Sequence, residues 1–245
     1  MKKIIILLIA ALLTLSACAP AELPPNTEPS GTIQTDAASQ PTDDSQPAIP
    51  PTQPAAPVYV SEHAVEDFLL PIEEFSWERQ HAPEFVMIHF TSAVANHPDD
   101  PYNMDHIRDI FVQYDISVHY IVDRDGTVHC YIPEDRVAWH AGAGTFMDDP
   151  KYTNAMNQYA IGIEVAAMGS QEEMSIYLTK QQYQALDDSL KGFTQAQYDA
   201  LKLLVADLCA RYEIPADRDH VIGHDEYSPK KNDPGSLFDW SQILP

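Results

Sequence analysis

The segment from residue 19 to residue 57 contains almost no large apolar side chain, and this limits which part of the chain can fold. It is rich in Pro, Ser, Thr, Gln, Ala and Asp. A segment of this composition cannot bury enough surface to offset the entropy lost on ordering. We therefore expect a disordered, partly extended tether. The globular composition that begins at about Val58 predicts one folded domain over residues 58–245.

The extreme N-terminus has the layout of an export signal. Lys2 and Lys3 are followed by an unbroken apolar run over residues 4–13, which is too short for an ordinary transmembrane helix. We expect residues 1–17 to be a signal peptide that is removed from the mature protein.

A cysteine follows this signal in the sequence Leu15-Ser16-Ala17-Cys18. The pattern resembles the bacterial lipobox, in which the cysteine becomes the first mature residue and carries the lipid. Several acyl chains would give stable anchoring where one would not. We expect residues 18–57 to hold the domain to the cell membrane or the outer membrane, on its extracytoplasmic side. The alternative is an ordinary signal peptide with an incidental cysteine.

The charge balance excludes one class of partner. The chain has 14 Lys and Arg against 37 Asp and Glu, a net charge of −23. Binding to nucleic acid needs basic patches that neutralise phosphates, so we expect no nucleic-acid partner. An acidic surface keeps an exported protein soluble, and we expect a monomer.

The two remaining cysteines are Cys130, in a strand-like segment, and Cys209, on the apolar face of a predicted helix. Export permits a disulfide. Their positions are explained more simply if both are small buried hydrophobic residues.

Strand and helix patterns alternate through the folded part, with period-two or continuous apolar runs followed by apolar stripes at three- and four-residue steps. This alternation predicts an α/β fold in which a mixed central β-sheet is flanked by helices. The predicted elements are a strand at 85–90, a helix at 104–114, a hairpin at 117–132 with its turn at Asp125-Gly126, a strand at 160–167 and a helix at 194–212.

A short sequence repeat occurs once before the last of these helices and again at its start. Thr179-x-x-Gln182-Tyr183-x-Ala185-Leu186 recurs fifteen residues later as Thr194-x-x-Gln197-Tyr198-x-Ala200-Leu201. The offset is too short for a solenoid array. A local duplication that lengthened a surface segment explains it, and Thr194 and Gln197 have the spacing of a capping box.

Two histidines and one aspartate have the chemistry of a zinc site. His89 lies near the end of a strand-like run, and Asp233 follows His224 by nine residues. Singly, each pattern is weak, because a lone histidine in such a run is more often a packed core residue. Together they suit catalytic zinc, which keeps three protein ligands and one open position.

Five sequence blocks occur in an order that carries a family resemblance. They are Val86-Met87-Ile88-His89-Phe90-Thr91, Ser117-Val118-His119-Tyr120-Ile121-Val122-Asp123-Arg124-Asp125-Gly126, Ala138-Trp139-His140-Ala141-Gly142, Ile161-Gly162-Ile163-Glu164, and Gly223-His224-x-Glu226 through Lys231-x-Asp233-Pro234-Gly235. From about Phe85 onward the chain resembles the type 2 N-acetylmuramoyl-L-alanine amidases, relatives of phage lysozyme-like amidases and peptidoglycan recognition proteins.

The resemblance implies a role for each matching position. His89, His224 and Asp233 fall where that family binds Zn²⁺, and Asp233 takes a place that some relatives fill with cysteine. Glu164 matches the catalytic carboxylate. Lys231, two residues before Asp233, matches the catalytic lysine, with Lys230 as the alternative.

The residues beside the predicted site include two that could touch substrate. Trp139 and His140 fall in what we expect to be a loop beside the groove, where they would contact the glycan or the peptide. His119, within the predicted hairpin, is expected to be packed or to support a ligand.

The function implied by the resemblance is zinc-dependent hydrolysis of the amide bond between N-acetylmuramic acid and L-alanine. The expected substrates are peptidoglycan in cell-wall remodelling or muropeptides in recycling. The alternative is a non-catalytic peptidoglycan-binding module. The intact ligand and catalytic positions favour the enzyme.

Overall fold

The structure is a computed structural model, and it describes residues 59–244. The expectations for the signal peptide, for Cys18 and for the tether lie outside these residues and stay predictions. The same holds for the domain boundary at residue 58.

Within residues 59–244 the structure has twelve α-helices and β-strands. In chain order they are α1 (Ile72–Phe75), β1 (Ser76–Glu78), β2 (Phe85–Thr91), α2 (Met104–Gln113), β3 (Tyr120–Val122), β4 (Val128–Cys130), β5 (Arg136–Ala138), β6 (Ala160–Ala166), α3 (Lys180–Ala185), α4 (Gln195–Tyr212), β7 (Val221–Gly223) and α5 (His224–Tyr227).

Five of the strands form a mixed central sheet in the order β4-β3-β6-β2-β7. The inner contacts β3–β6, β6–β2 and β2–β7 are parallel, and β4 lies antiparallel to β3. The remaining strands, β1 and β5, pair antiparallel as a separate small sheet. The predicted α/β class with a mixed central sheet is confirmed.

Both faces of the central sheet are covered by apolar residues. In β3, Tyr120 and Val122 pack in the core beneath α4, whereas Ile121 packs in the core that includes α2. Alternate residues of a strand point to opposite faces, so a strand buried on both sides is apolar throughout. This explains why the runs in β2 and β6 are continuous rather than alternating.

The two copies of the repeat have the same local structure. Thr194 begins α4 and Thr179 begins α3, and each forms a capping box with the glutamine three residues later. The reciprocal hydrogen bonds satisfy backbone N–H groups that a helix start leaves free. The repeated pattern therefore encodes two helix starts in succession.

The hairpin and the cysteines also agree with expectation. Gly126 has a φ of 87° in the β3–β4 turn, and a Cβ there would lie 2.7 Å from the carbonyl oxygen of Ala196. Cys130 and Cys209 are buried and not disulfide-bonded. Within residues 59–244, none of the helices has the length and apolar character needed to cross a membrane.

Candidate metal centre

The sheet topology brings the predicted site residues to one edge. His89 lies near the carboxyl end of β2, and Glu164 is its register partner on the parallel strand β6. On the other side of β2, Gly223 pairs with Ile88, so that His224 follows directly after β7. Carboxyl ends of neighbouring parallel strands meet at the same edge, where ligands bind in open α/β sheets.

Three side chains converge on one point at this edge. Nδ1 of His89 lies 2.9 Å from Nδ1 of His224, and Oδ2 of Asp233 lies 2.9 Å from each of these nitrogens. Both histidines are 2 % exposed. Among residues 59–244, no other group of three or more His, Cys, Asp or Glu side chains has the spacing of a metal site.

The hydrogen bonds around His224 define which of its nitrogens carries the proton. Nε2 lies 3.0 Å from the carbonyl oxygen of Ala141 and donates to it. In a neutral imidazole the other nitrogen then carries a lone pair. Nδ1 of His224 and the carboxylate of Asp233 are thus two acceptors facing each other, an arrangement that a cation between them would stabilise.

The protonation of the other two groups agrees with a cation site. Burial, followed by the neighbouring His224, lowers the pKa of His89 to about 4, against the raising effect of Asp233. Burial alone would raise the pKa of Asp233, but the imidazoles of His224 and His89, whose Nδ1 atoms lie 2.9 Å from its Oδ2, hold it well below its ordinary value. At neutral pH the centre therefore presents a neutral imidazole at His89 and an ionised carboxylate at Asp233.

This donor set fits zinc. Zinc binds imidazole nitrogen and carboxylate oxygen at about 2.0–2.2 Å, which places the ligand atoms of a tetrahedral site roughly 3.3 Å apart. The three atoms here are 2.9 Å apart, so a small outward adjustment accommodates the ion. The identity of the metal stays a prediction.

Glu164 is held beside this centre without a hydrogen-bond partner for one of its oxygens. The residue is partly exposed, but its Oε2 atom is buried and unpartnered. Burial and then the nearby Asp233 raise the pKa of Glu164 well above its ordinary value, and Lys231 opposes this shift. A carboxylate with a raised pKa is a stronger proton acceptor than an ordinary one.

The two candidate lysines, Lys230 and Lys231, are neighbours in the chain. Lys231 is exposed, yet it is close enough to lower the pKa of both His89 and Glu164. Lys230 is also exposed. The choice of Lys231 over Lys230 as the catalytic lysine stays a prediction, and the effect of the Lys231 charge on these two groups supports it.

His140 lies directly behind His89. Its Nδ1 atom is 3.0 Å from Nε2 of His89, and its Nε2 atom is buried without a partner. Asn157 fixes this part of the chain, since its side-chain oxygen accepts hydrogen bonds from the backbone N–H groups of His140 and Ala141. This placement supports orientation of a ligand, while the predicted contact with substrate stays a prediction.

Trp139 points towards the small sheet formed by β1 and β5. Its ring lies 5.3 Å from that of Trp77, which is 44 % exposed. Its backbone N–H donates to Oγ of Ser117 at 2.8 Å. Trp139, which precedes His140 in the chain, thus packs against the exposed Trp77, and contact between Trp139 and substrate stays a prediction.

Sequence interpretation missed the support beneath His140. A Cβ on Gly162 would lie 2.5 Å from the ring of His140, so only glycine lets that ring pack on β6. A glycine inside a buried strand often marks such a close approach, and this signal was available. The backbone N–H of Gly162 also donates to Nδ1 of the fully buried His119.

Arg79 was also missed, because no pattern in the sequence marks it. Its guanidinium contacts Nε2 of His119 at 2.9 Å and donates to the backbone carbonyls of Glu134 and Gln158. Burial lowers the pKa of Arg79 to about 10. These contacts tie the loop after β1 to the region behind the metal centre.

Comparison with known families agrees with the fold. Residues 79–236 match the model of a family described as N-acetylmuramoyl-L-alanine amidase. The match covers most of the chain and includes all three converging residues. The chain therefore belongs to the N-acetylmuramoyl-L-alanine amidase family, which confirms the resemblance seen in the sequence.

Individual relatives share part of their length with this chain. It is 31% identical over 129 residues to the 1,6-anhydro-N-acetylmuramyl-L-alanine amidase AmpD of Enterobacter cloacae, covering 52% of this chain and 55% of the relative. It is 34% identical over 113 residues to the N-acetylmuramoyl-L-alanine amidase AmiD of Escherichia coli K12, covering 46% and 35%. The chain thus spans about half the length, or less, of these curated relatives.

A solved structure supports the fold. The crystal structure of a selenomethionine derivative of AmpD superposes with a TM-score of 0.55 at 23% sequence identity, covering 75% of this chain and 94% of that one. At this identity the likeness shows a common fold.

Proposed function

We propose that this protein is a zinc-dependent amidase that hydrolyses the bond between N-acetylmuramic acid and L-alanine in peptidoglycan or its fragments. The observation that carries the proposal is the convergence of His89, His224 and Asp233, with Glu164 beside them. Family membership and the names of the AmpD and AmiD relatives support the substrate class.

His89, His224 and Asp233 would hold the zinc. When bound, zinc supplies a Lewis acid that polarises a carbonyl oxygen and lowers the pKa of a water molecule to about 7.

Glu164 would act as the proton carrier. Its buried, unpartnered Oε2 can accept a proton from the water that attacks the lactyl carbonyl carbon. As the carbon–nitrogen bond breaks, Glu164 returns that proton to the leaving amine of L-alanine. The products are a free lactyl carboxylate and a stem peptide with a free amino terminus.

Lys231 would stabilise the charge that develops during this reaction. Its ammonium group lies close enough to act electrostatically on Glu164 and His89. A fixed cation beside the carbonyl oxygen lowers the energy of the tetrahedral intermediate. His140 would keep His89 oriented by accepting a hydrogen bond from its Nε2 atom.

The amidase proposal is tested on peptidoglycan itself. The chain without residues 1–17, with Cys18→Ala, is loaded with zinc and incubated with purified wall, and in parallel with muropeptides. Mass spectrometry should detect stem peptides that begin with L-alanine and sugars with a free lactyl acid. Binding of the wall without release of either product would favour the non-catalytic alternative, and the two parallel substrates separate remodelling from recycling.

We also propose that the protein is a lipoprotein anchored on the extracytoplasmic side of a membrane. The support is the order of basic residues, apolar run and Leu15-Ser16-Ala17-Cys18 in the sequence. Cells grown with labelled palmitate should label the chain and recover it in the membrane fraction. Cys18→Ala should lose both the label and the membrane association, and a protein that stays in the membrane without Cys18 would contradict the proposal.

A further inference from the structure

A carboxylate outside the predicted site joins two separate parts of the chain. Glu173 lies in the segment between β6 and α4, residues 167–194, which we call the β6–α4 segment. Glu173 begins a short 3₁₀ helix that ends at Ile176. The two ends of the segment are joined by a backbone hydrogen bond from the N–H of Gly192 to the carbonyl oxygen of Met168 at 2.9 Å. Glu173 therefore lies in a loop whose ends are held together.

The two oxygens of Glu173 bind two different backbone groups. Oε1 accepts a hydrogen bond from the N–H of Ser236 at 2.6 Å, and Oε2 accepts one from the N–H of Ser170 at 2.6 Å. The backbone oxygen of Glu173 accepts a third bond from Nδ2 of Asn232 at 3.1 Å. Hydrogen bonds to an ionised acceptor are roughly twice as strong as neutral ones.

Two of the partners of Glu173 flank the candidate metal ligand Asp233 along the chain. Asn232 and Ser236 lie on either side of Asp233, in the loop that follows α5 and also carries Lys231. Two backbone hydrogen bonds, both 3.0 Å long, also hold this loop to α5 and the residue after it. One runs from the N–H of Lys231 to the carbonyl oxygen of Ser228, and the other from the N–H of Asp225 to the carbonyl oxygen of Asp233.

Two glycines make room for this carboxylate. A Cβ on Gly235 would lie 2.7 Å from the carboxyl carbon of Glu173, and Gly235 has a φ of 77°. A Cβ on Gly169 would lie 2.4 Å from Oε2 of Glu173. The backbone on both sides therefore approaches Glu173 more closely than any side chain would permit.

We propose that Glu173 is a positioning residue that fixes the loop carrying Lys231 and Asp233 against the β6–α4 segment. The proposal rests on the proposed function, since it concerns the geometry of the same site. Metal ligands depend on the groups that orient them, and loss of such a group costs about 10- to 100-fold in metal affinity or activity. The β6–α4 segment would thereby fix the positions of Lys231 and Asp233 in the site.

The decisive variant is Glu173→Gln. Glutamine has nearly the same shape, but its amide nitrogen is a donor and cannot accept the second N–H. One of the two contacts, to Ser170 or to Ser236, is then lost while the side chain still fills its space. Glu172→Gln is the matched control, because Glu172 is the exposed neighbour in the same segment.

The experiment measures zinc affinity by competition with a chelator, together with amide hydrogen exchange of metal-free protein over residues 229–238. For Glu173→Gln we expect zinc affinity to fall about 10- to 100-fold and exchange in that region to rise. The control should match the wild type in both measurements. If the wild type were inactive on peptidoglycan, the proposed function would be refuted. Zinc affinity and hydrogen exchange would still test the role of Glu173, because neither measurement depends on catalytic activity.

Two outcomes would overturn the proposal. One is unchanged zinc affinity in Glu173→Gln despite faster exchange, which would mean that the loop is held there without consequence for the site. The other is a lower melting temperature with unchanged zinc affinity and exchange, as expected for a structural role alone. If Glu173→Gln is too unstable to purify, Glu173→Asp, which keeps the charge with a shorter reach, is measured in its place with the same expectations and the same refuting results.

Discussion

Nε2 of His89 lies 3.0 Å from Nδ1 of His140, so that the two imidazoles form a chain leading from the metal centre into the protein. If Nδ1 of His89 were to hold a metal, its Nε2 would carry the proton and donate to His140. The ring of His140 is held in turn by Gly162, which leaves space for it, and by Asn157, which binds its backbone.

Replacing His140 tests whether it orients His89 or contacts substrate. His140→Phe keeps a ring but removes the acceptor, so we expect zinc affinity to fall about 10- to 100-fold. Chelator competition measures this, with Trp139→Phe as the control that leaves the His89 contact intact. A raised KM with unchanged zinc affinity would instead indicate that His140 contacts substrate.

Removing a ligand should abolish metal-dependent stabilisation. A metal at about 100 times its Kd raises the free energy of unfolding by roughly 2.7 kcal/mol when it binds only the folded state. We expect zinc to stabilise the wild type in urea unfolding and to leave Asp233→Ala unchanged. Asp109→Asn, an exposed change on α2, should respond as the wild type does. Equal stabilisation of Asp233→Ala would place the metal elsewhere.

Glu164→Gln should separate catalysis from metal binding. The amide cannot carry the proton, so we expect kcat to fall roughly 10²- to 10⁴-fold, while zinc content stays near that of the wild type. Metal analysis of the same purified sample checks that the variant still contains zinc, so that a lower kcat cannot be due to loss of the metal. Loss of zinc would show that Glu164 supports the ligands rather than the reaction.

The two adjacent lysines provide a matched pair. Lys231→Met removes the charge that acts on Glu164 and His89, and we expect kcat to fall roughly 10²- to 10³-fold, as for the loss of one oxyanion donor. Lys230→Met changes the neighbouring exposed side chain and should leave kcat within about twofold of the wild type. The reverse pattern in steady-state assays would reassign the role to Lys230.

One pH dependence follows from a histidine remote from the site. Nδ1 of His129 lies 3.1 Å from Asp67, and Nε2 lies 3.9 Å from Asp123. Burial alone would lower the pKa of His129, but these carboxylates raise it above its ordinary value. The stabilisation is therefore complete below the unfolded pKa of about 6.5 and is lost as pH rises through the higher folded pKa.

Asp67→Asn isolates this effect, because it removes the charge and keeps the packing. At about pH 5.5, below the histidine pKa, we expect the variant to be less stable than the wild type by about 0.2–1 kcal/mol, the range for exposed pairs. The difference should shrink at about pH 8.5, where histidine is neutral. Urea unfolding at both values measures it, with Glu66→Gln as the control, and a difference that grows with pH would contradict the assignment.

Much of the fold was predictable because its signals are local. The continuous apolar runs predict β2 and β6, since a strand covered on both faces has no polar alternation. The capping pattern at Thr194 predicts the start of α4, because the residues that make those hydrogen bonds are three apart in the chain. The short strands β1 and β5 were not predicted, since each has three residues and their pairing joins distant parts of the chain.

The sequence by itself determined the α/β class, the main strands and helices and the chemical types at the site. Only the tertiary structure decided that His89, Glu164 and His224 share one edge, because strand order and register depend on packing between elements far apart in the chain. It also decided that His140 lies behind His89 and that Glu173 binds the loop of Asp233. These contacts join residues separated by many positions, and a local pattern carries no signal for them.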